Sequence, residues 1–118
     1  AEMSRLVVRC GGQAITCMGL AGTGDLVATC TSEHSRNRSF GVAFAGGTSL
    51  DEYQQRSHMV VEGAAAARSV SELARELGVD APLTFALERT LYHGGTLAEA
   101  LELLTDRFPT QEFYGMDD

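Results

Sequence analysis

The chain has 118 residues and a formal net charge of −7, and its nine basic side chains are all arginines, with no lysine. This length predicts one domain, and the acidic balance argues against a general nucleic-acid binder, which would carry a basic face. Without lysine, the chain forms no Schiff base and has no lysine for general acid–base catalysis. No apolar run approaches the roughly 20 residues of a membrane span, so no membrane insertion is expected.

The first third of the chain predicts short helices separated by glycines. The first residues have no basic region followed by an apolar one, so no signal peptide is visible. The chain does not begin with Met, and residues 1–10 have the pattern of the end of a longer helix, so we expect a fragment or a processed chain whose first helix is truncated. A short turn is predicted over residues 15–19 and a helix over 22–31. Ser35 has the features of an N-cap for a helix that runs to about Ala45.

The remaining sequence predicts four more helices with clear start and stop signals. Ser49 and Glu52, and then Thr96 and Glu99, form capping-box patterns. Between them, apolar residues at helical spacing predict helices over residues 63–77 and 82–92. The apolar stripes expected to face the core are Ala66, Val70, Leu73, Ala74 and Leu77, then Leu83, Ala86, Leu87, Thr90 and Leu91, and finally Leu97, Ala100, Leu101 and Leu104.

Two short sequences complete the prediction for the second half of the chain. Asp80 precedes Pro82 and is expected to cap the helix that the proline opens. Residues 109–118 are polar and acidic, and we expect them to fray. The prediction is therefore a single all-α domain over residues 1–118.

The three cysteines, Cys10, Cys17 and Cys30, have no CxxC spacing, which favours reduced and mostly buried thiols. A zinc site on Cys30 and His34 lacks a second pair of ligands at a suitable spacing, so no metal is expected.

Two local patterns could carry chemistry. Residues 35–38, Ser-Arg-Asn-Arg, place two guanidiniums and two capping side chains at a predicted helix N-terminus, an arrangement that favours an anion such as phosphate. Asp25 follows Gly22 and Gly24, so a ligand or a cation can approach its carboxylate closely. The first pattern equally fits a structural interpretation, in which Ser35 only caps a helix and the arginines are solvated.

Together these segments resemble the C-terminal domain of bacterial NAD(P)-dependent glycerol-3-phosphate dehydrogenases. The resemblance covers nearly the whole chain in order and spacing, and it is carried by residues 19–32 (GLAGTGDLVATCTS), 35–41 (SRNRSFG), 60–63 (VVEG), 79–82 (VDAP), 91–94 (LYHG), 99–100 and 103–104. It implies a helical domain of the 6-phosphogluconate dehydrogenase C-terminal-like type, without the N-terminal Rossmann domain that holds the cofactor in the family.

The resemblance also implies an activity. Members reduce dihydroxyacetone phosphate to sn-glycerol 3-phosphate with NADH or NADPH, for glycerophospholipid synthesis in the cytoplasm. Because the proton-transfer lysine and the Rossmann glycines lie upstream in the family, the isolated chain is expected to be inactive. The expected partners are the substrate, the Rossmann domain and, as members commonly pair through this domain, a second copy.

The resemblance assigns roles residue by residue. Asp25 would orient the family's catalytic lysine, and Thr29 would face the same pocket. The substrate-binding run corresponds to Ser35, Arg36 and Asn37, with Arg36 on the phosphate, and Arg38 is expected to be structural. Arg36, Val60 and Glu62 would contact the cofactor, although Glu62 also fits a helix-opening carboxylate.

A second hypothesis uses the same sequence differently. The chain would then be a non-catalytic helical module whose apolar surface serves dimerisation. A third, an anion-binding or regulatory domain, depends only on residues 35–37.

Overall fold

The fold consists of short helices, as the sequence predicts. The computed structural model describes residues 1–107 and 111–116, and within these ranges it contains eight α-helices, one π-helix and no strand. The α-helices are α1 (Glu2–Arg9), α2 (Ala14–Met18), α3 (Asp25–Thr31), α4 (Arg36–Ala45), α5 (Leu50–Ser57), α6 (Glu62–Leu77), α7 (Pro82–Tyr92) and α8 (Leu97–Thr105). In the described part of the chain, no helix is both long and apolar enough to cross a membrane.

Three of the predicted helix starts are confirmed by side-chain hydrogen bonds. The Ser35 hydroxyl accepts from the Arg38 backbone N–H at 3.3 Å, which caps α4. Complete capping boxes, formed by Ser49 with Glu52 and by Thr96 with Glu99, open α5 and α8. These caps satisfy N–H groups that have no partner inside the helix, so they define where each helix begins.

The helix predicted over residues 22–31 is wrong in its first turn. Residues Leu20–Gly24 form a π-helix, and α3 begins only at Asp25. Gly22 packs so closely on α2 that a Cβ atom there would lie 2.2 Å from the Cys17 carbonyl oxygen. The Thr23 hydroxyl donates to the same carbonyl at 3.0 Å. The wider π-turn accommodates this close approach, which only glycine permits.

The expected cap of α7 is also wrong. Ala81 occupies the N-cap position, and the Asp80 carboxylate instead accepts hydrogen bonds from Arg107 and Tyr114. The first-turn donors of α7 are satisfied by Glu2, whose carboxylate accepts from the backbone N–H groups of residues 83 and 84 at 2.9 Å each. A side chain from the start of the chain therefore caps a helix 80 residues later.

Most of the buried core residues are small, and they lie where α6 packs against its neighbours. One apolar cluster contains Phe40, Val61 and Ala64, and the other contains Ala74, Val79 and Ala81. Phe40 also packs edge-to-face on Tyr53, with ring centroids 5.4 Å apart.

The predicted stripes on α6 and α7 are only partly correct. On α6 the buried residues are Ala64, Ala67, Ser71 and Ala74, whereas Ala66 and Leu73 are exposed. On α7 the buried residues are Ala86, Glu88 and Thr90, whereas Leu83 and Leu87 are 58% and 45% exposed. Alanine and serine let two helices approach closely, so the smaller side chains occupy the contact and the leucines lie outside it.

The exposed leucines line an open space, which we call the apolar groove. It has a volume of about 510 Å³. Its walls come from α4, α6, α7 and α8, and they include Phe44, Leu83, Leu87, Leu97 and Leu101. The leucine stripes predicted on α7 and α8 therefore face this groove more than a closed core.

Of the segment expected to fray, residues 109–110 and 117–118 lie outside the described residues. Within 111–116, Tyr114 hydrogen-bonds to Asp80 and Arg107, and the Arg5 guanidinium lies 4.3 Å from its ring centroid. This segment thus contacts the body of the domain through one aromatic side chain.

The prediction for the cysteines is correct in one respect and wrong in another. All three are free thiols, but only Cys17 is buried, whereas Cys10 and Cys30 are exposed. Cys10 follows the end of α1, and Cys30 lies on a helix whose sides are largely uncovered.

Candidate functional site

The start of α4 forms one wall of a polar pocket of about 340 Å³, lined by His34, Arg36, Asn37 and Glu62. Ser35 lies between the first two and uses its hydroxyl oxygen as the helix cap. Its O–H donor is still available, as are the first backbone N–H groups of α4. The pocket therefore brings hydrogen-bond donors and the positive end of a helix dipole together, as an anion requires.

Arg36 supplies the positive charge of this pocket. Its side chain is exposed, and within residues 1–107 and 111–116 its guanidinium has no carboxylate or carbonyl partner. Other arginines are engaged structurally: Arg5 donates to the Asp80 carbonyl at 2.9 Å, and Arg75 pairs with Glu88. A guanidinium free of such contacts keeps its donor fork for a ligand, and that fork matches a phosphate.

Asn37 connects the pocket to a second helix. Its side-chain carbonyl accepts a hydrogen bond from the Gly63 backbone N–H at 2.9 Å, near the start of α6. Val61, the N-cap residue of α6, provides no side-chain cap. The N-termini of α4 and α6 therefore meet at Asn37, although Asn37 and Gly63 are 26 positions apart in the sequence.

Glu62 and Val60 lie on the α6 side of this contact between the two helix N-termini. Glu62 is the first residue of α6 and is exposed, and Val60, two residues earlier, is 64% exposed. A carboxylate repels a bound phosphate but accepts hydrogen bonds from hydroxyl groups. The pocket therefore has a cation, Arg36, that suits an anion on one side and a hydrogen-bond acceptor, Glu62, on the other.

Asp25 and Thr29 lie elsewhere on the chain. Asp25 begins α3 and is exposed, and Thr29, one turn later, is half-buried on the same helix face. Neither contributes to the lining of the polar pocket. The predicted site thus divides into two parts, with Ser35, Arg36, Asn37 and Glu62 together and Asp25 with Thr29 on α3.

Sequence reasoning missed one residue of the pocket, His34, and one residue that contacts the pocket from behind Asn37, Gly63. His34 was considered in the sequence as a zinc ligand, and in the structure it is exposed and lines the pocket beside Arg36. Gly63 was predicted only as the start of a helix and as part of the resemblance, and no local pattern indicates its contact with Asn37. Adjacency to residues 35–37 could have identified His34.

Comparison with known proteins assigns the chain to a family. The model of the C-terminus of NAD-dependent glycerol-3-phosphate dehydrogenases matches residues 1–102. The chain belongs to this family. The resemblance read from the sequence and the predicted all-helical C-terminal domain are both confirmed.

Curated relatives named glycerol-3-phosphate dehydrogenase [NAD(P)+] give the same result. The Chlorobium limicola protein is 45% identical over 114 residues, covering 97% of this chain and 34% of the relative. The Anaeromyxobacter sp. (strain K) protein is 49% identical over 107 residues, covering 91% and 32%. The chain therefore spans about a third of the length of the curated relatives it matches.

A solved structure confirms the fold. The crystal structure of glycerol-3-phosphate dehydrogenase from Coxiella burnetii aligns with a TM-score of 0.83 at 42% identity, covering 90% of this chain and 33% of that one. The helices described above are thus those of a glycerol-3-phosphate dehydrogenase C-terminal domain.

Proposed function

We propose that this chain is the substrate-binding domain of an NAD(P)-dependent glycerol-3-phosphate dehydrogenase, which interconverts dihydroxyacetone phosphate and sn-glycerol 3-phosphate. The observation that carries the proposal is the free Arg36 guanidinium beside Asn37 at the N-terminus of α4. Both substrates carry a phosphate on a three-carbon unit. Membership of the family supports this choice of anion over others.

Each residue of the polar pocket has a role in this proposal. Arg36 binds the phosphate through two N–H donors, while the Asn37 amide and the first N–H groups of α4 donate to its remaining oxygens. Ser35 supports them, since its hydroxyl holds the first turn of α4 and its O–H faces the same helix end. These contacts hold the three-carbon unit in one orientation for reaction.

Asp25 acts in the part of the active site where the proton is transferred. The chain has no lysine, so the ammonium that Asp25 orients belongs to another part of the enzyme. Thr29, on the same face of α3, adds a hydroxyl to that side. Because Asp25 is exposed and has no partner within the described residues, its carboxylate is available for such a contact.

The cofactor, NAD or NADP, supplies the hydride when it is bound. The residues of this chain fit only an edge of a dinucleotide: Val60 offers an exposed apolar surface, Glu62 an acceptor for hydroxyl or amide groups, and Arg36 a cation. The dinucleotide itself requires the Rossmann domain, the partner that we propose for this chain. We also propose a cytoplasmic enzyme that serves glycerophospholipid synthesis.

Titration calorimetry with sn-glycerol 3-phosphate tests the phosphate site. Arg36→Ala should weaken binding by roughly 1.5–3 kcal/mol, the range for hydrogen bonds to charged groups. Arg38→Ala is the matched control, since Arg38 is exposed on the same helix and its loss changes the net charge equally. Equal losses of binding affinity in both variants would mean that the ligand is attracted only by nearby positive charge in general, and the proposal would fail.

The assignment of the chemistry to another part of the enzyme has its own test. With dihydroxyacetone phosphate and NADH, the 118-residue chain should not oxidise NADH measurably. Turnover by this chain alone would refute the proposal that hydride and proton transfer require another part of the enzyme.

The apolar groove favours a second candidate function, a dimerisation module in which a second copy covers the groove. Leu101 of α8 lines the groove and is 56% exposed, whereas Leu103 of the same helix lies outside it and is 52% exposed. Sedimentation equilibrium should then show a dimer that Leu101→Asp dissociates and Leu103→Asp does not. A monomer in the unmodified chain rejects this candidate.

A further inference from the structure

We propose that Gly63 is a positioning residue that orients the Asn37 amide, so that its NH₂ group faces the polar pocket. The inference rests on the proposed function, since it assigns the cause of the anion selectivity of the same pocket. Two independent observations carry it, a hydrogen bond and a steric contact.

The hydrogen bond determines which end of the amide faces Gly63. A backbone N–H is only a donor, so the atom at 2.9 Å from it must be the carbonyl oxygen of Asn37 and not the nitrogen. The Gly63 N–H lies in the first turn of α6, where it has no acceptor within the helix. Asn37 thus satisfies a donor that Val61 leaves uncapped. Its carbonyl oxygen is held by α6, and its NH₂ group remains available as a donor where Asn37 lines the polar pocket.

The steric contact determines how close the amide lies. A Cβ atom at Gly63 would be 2.7 Å from both the Cγ and Oδ1 atoms of Asn37 and 2.9 Å from Nδ2. Contacts this short are not tolerated, and the end of an exposed side chain moves more easily than helix backbone. Any residue with a Cβ at this position therefore displaces the amide. Glycine is a poor helix former, and the close contact with Asn37 is the feature of the structure that favours it at this position.

The orientation has a chemical consequence. With its carbonyl oxygen engaged by Gly63, Asn37 has only its NH₂ donor to offer in the pocket that Arg36 also lines, and both groups favour an anion. A reversed amide would present its carbonyl oxygen, which repels a phosphate. Because Glu62 already contributes a negative charge to the pocket, the direction of this amide decides whether the Arg36 side binds anions well.

Substitution of the glycine tests the steric part of the inference. Gly63→Ala should weaken the binding of inorganic phosphate to the 118-residue chain about tenfold, to the level of Asn37→Ala. Gly41→Ala is the matched control, since Gly41 lies inside α4 and a Cβ there meets no atom within 4 Å. Phosphate affinity in Gly41→Ala should equal that of the unmodified chain, and a loss there equal to that of Gly63→Ala would overturn the inference.

The double variant separates positioning from a general structural effect. In Asn37→Ala the amide is absent, so adding Gly63→Ala should cause no further loss of phosphate affinity. Two losses that multiply would mean that Gly63 acts independently of Asn37, which overturns the inference.

A readout without ligand distinguishes this inference from the proposed function. By NMR, the Gly63 amide proton should exchange slowly with solvent in the unmodified chain and faster in Asn37→Ala. Fast exchange in the unmodified chain overturns the positioning, even if Arg36→Ala abolishes phosphate binding. A protected Gly63 amide in a chain that does not bind phosphate refutes the proposed function, and with it the anion-directed role of the amide.

Discussion

Replacing Glu2 with alanine should destabilise the folded chain by about 1–2 kcal/mol, because its carboxylate is the cap of a distant helix. It accepts from the backbone N–H groups of Leu83 and Thr84 at 2.9 Å each, and it also contacts the Thr84 hydroxyl. Loss of an N-cap costs about 0.5–2 kcal/mol. The contact with residue 83 is exposed, so water replaces it in part, and the estimate lies below the sum of two charge-assisted hydrogen bonds.

The expected change in melting temperature follows from the size of the chain. An unfolding entropy of about 2.1 cal/mol/K per residue gives a domain of this length about 0.25 kcal/mol/K. A loss of 1–2 kcal/mol therefore lowers the melting temperature by about 4–8 °C. Thermal and urea unfolding followed by circular dichroism measure both quantities.

A matched variant separates the two roles that Glu2 can have. It lies in the first turn of α1, where any carboxylate stabilises the helix dipole by about 0.3–1 kcal/mol. Glu2→Asp keeps this charge but is one methylene too short to reach α7. We expect it to lose most of the stability that Glu2→Ala loses, whereas Glu76→Ala, on the exposed side of α6, should change little. If Glu2→Asp is as stable as the unmodified chain, capping across the domain is not the cause.

Two further predictions concern buried or networked carboxylates. The hydrogen bond from Arg75 holds the pKa of the buried Glu88 below its ordinary value of 4.5. Its contribution to stability is therefore present above pH 4.5 and is lost as the pH falls through the lowered pKa, so Glu88→Gln should show a flatter acid branch in urea unfolding between about pH 5 and 3; identical branches would contradict this. Asp80→Asn weakens the contacts with Arg107 and Tyr114, the first of which holds the pKa of Asp80 below its ordinary value. The amide hydrogens of residues 111–116 should then exchange faster with solvent, while the exchange rates in α4 stay the same. An unaltered exchange rate in residues 111–116 would show that Asp80 does not anchor this segment.

Local signals in the sequence were sufficient for most helix boundaries. Ser35, Ser49 and Thr96 cap the helices that they were predicted to cap, because an N-cap hydrogen bond joins residues only three positions apart. The residues at which we propose anion binding could be picked out for the same reason, since Arg36 and Asn37 adjoin such a cap. These features need no knowledge of distant residues.

The tertiary structure decided what depends on residues far apart in the chain. Asp80 was the local candidate to cap α7, but Glu2, the first residue of α1, accepts from its first N–H groups, and Asp80 accepts from Arg107 instead. The π-turn at Gly22 likewise follows from its packing on α2. The sequence by itself thus determined the family, most helix boundaries and the cap at the start of α4. Only the packing of α6 against α4 placed Gly63 beside Asn37, because a contact between two helix ends leaves no periodic or local pattern in either segment.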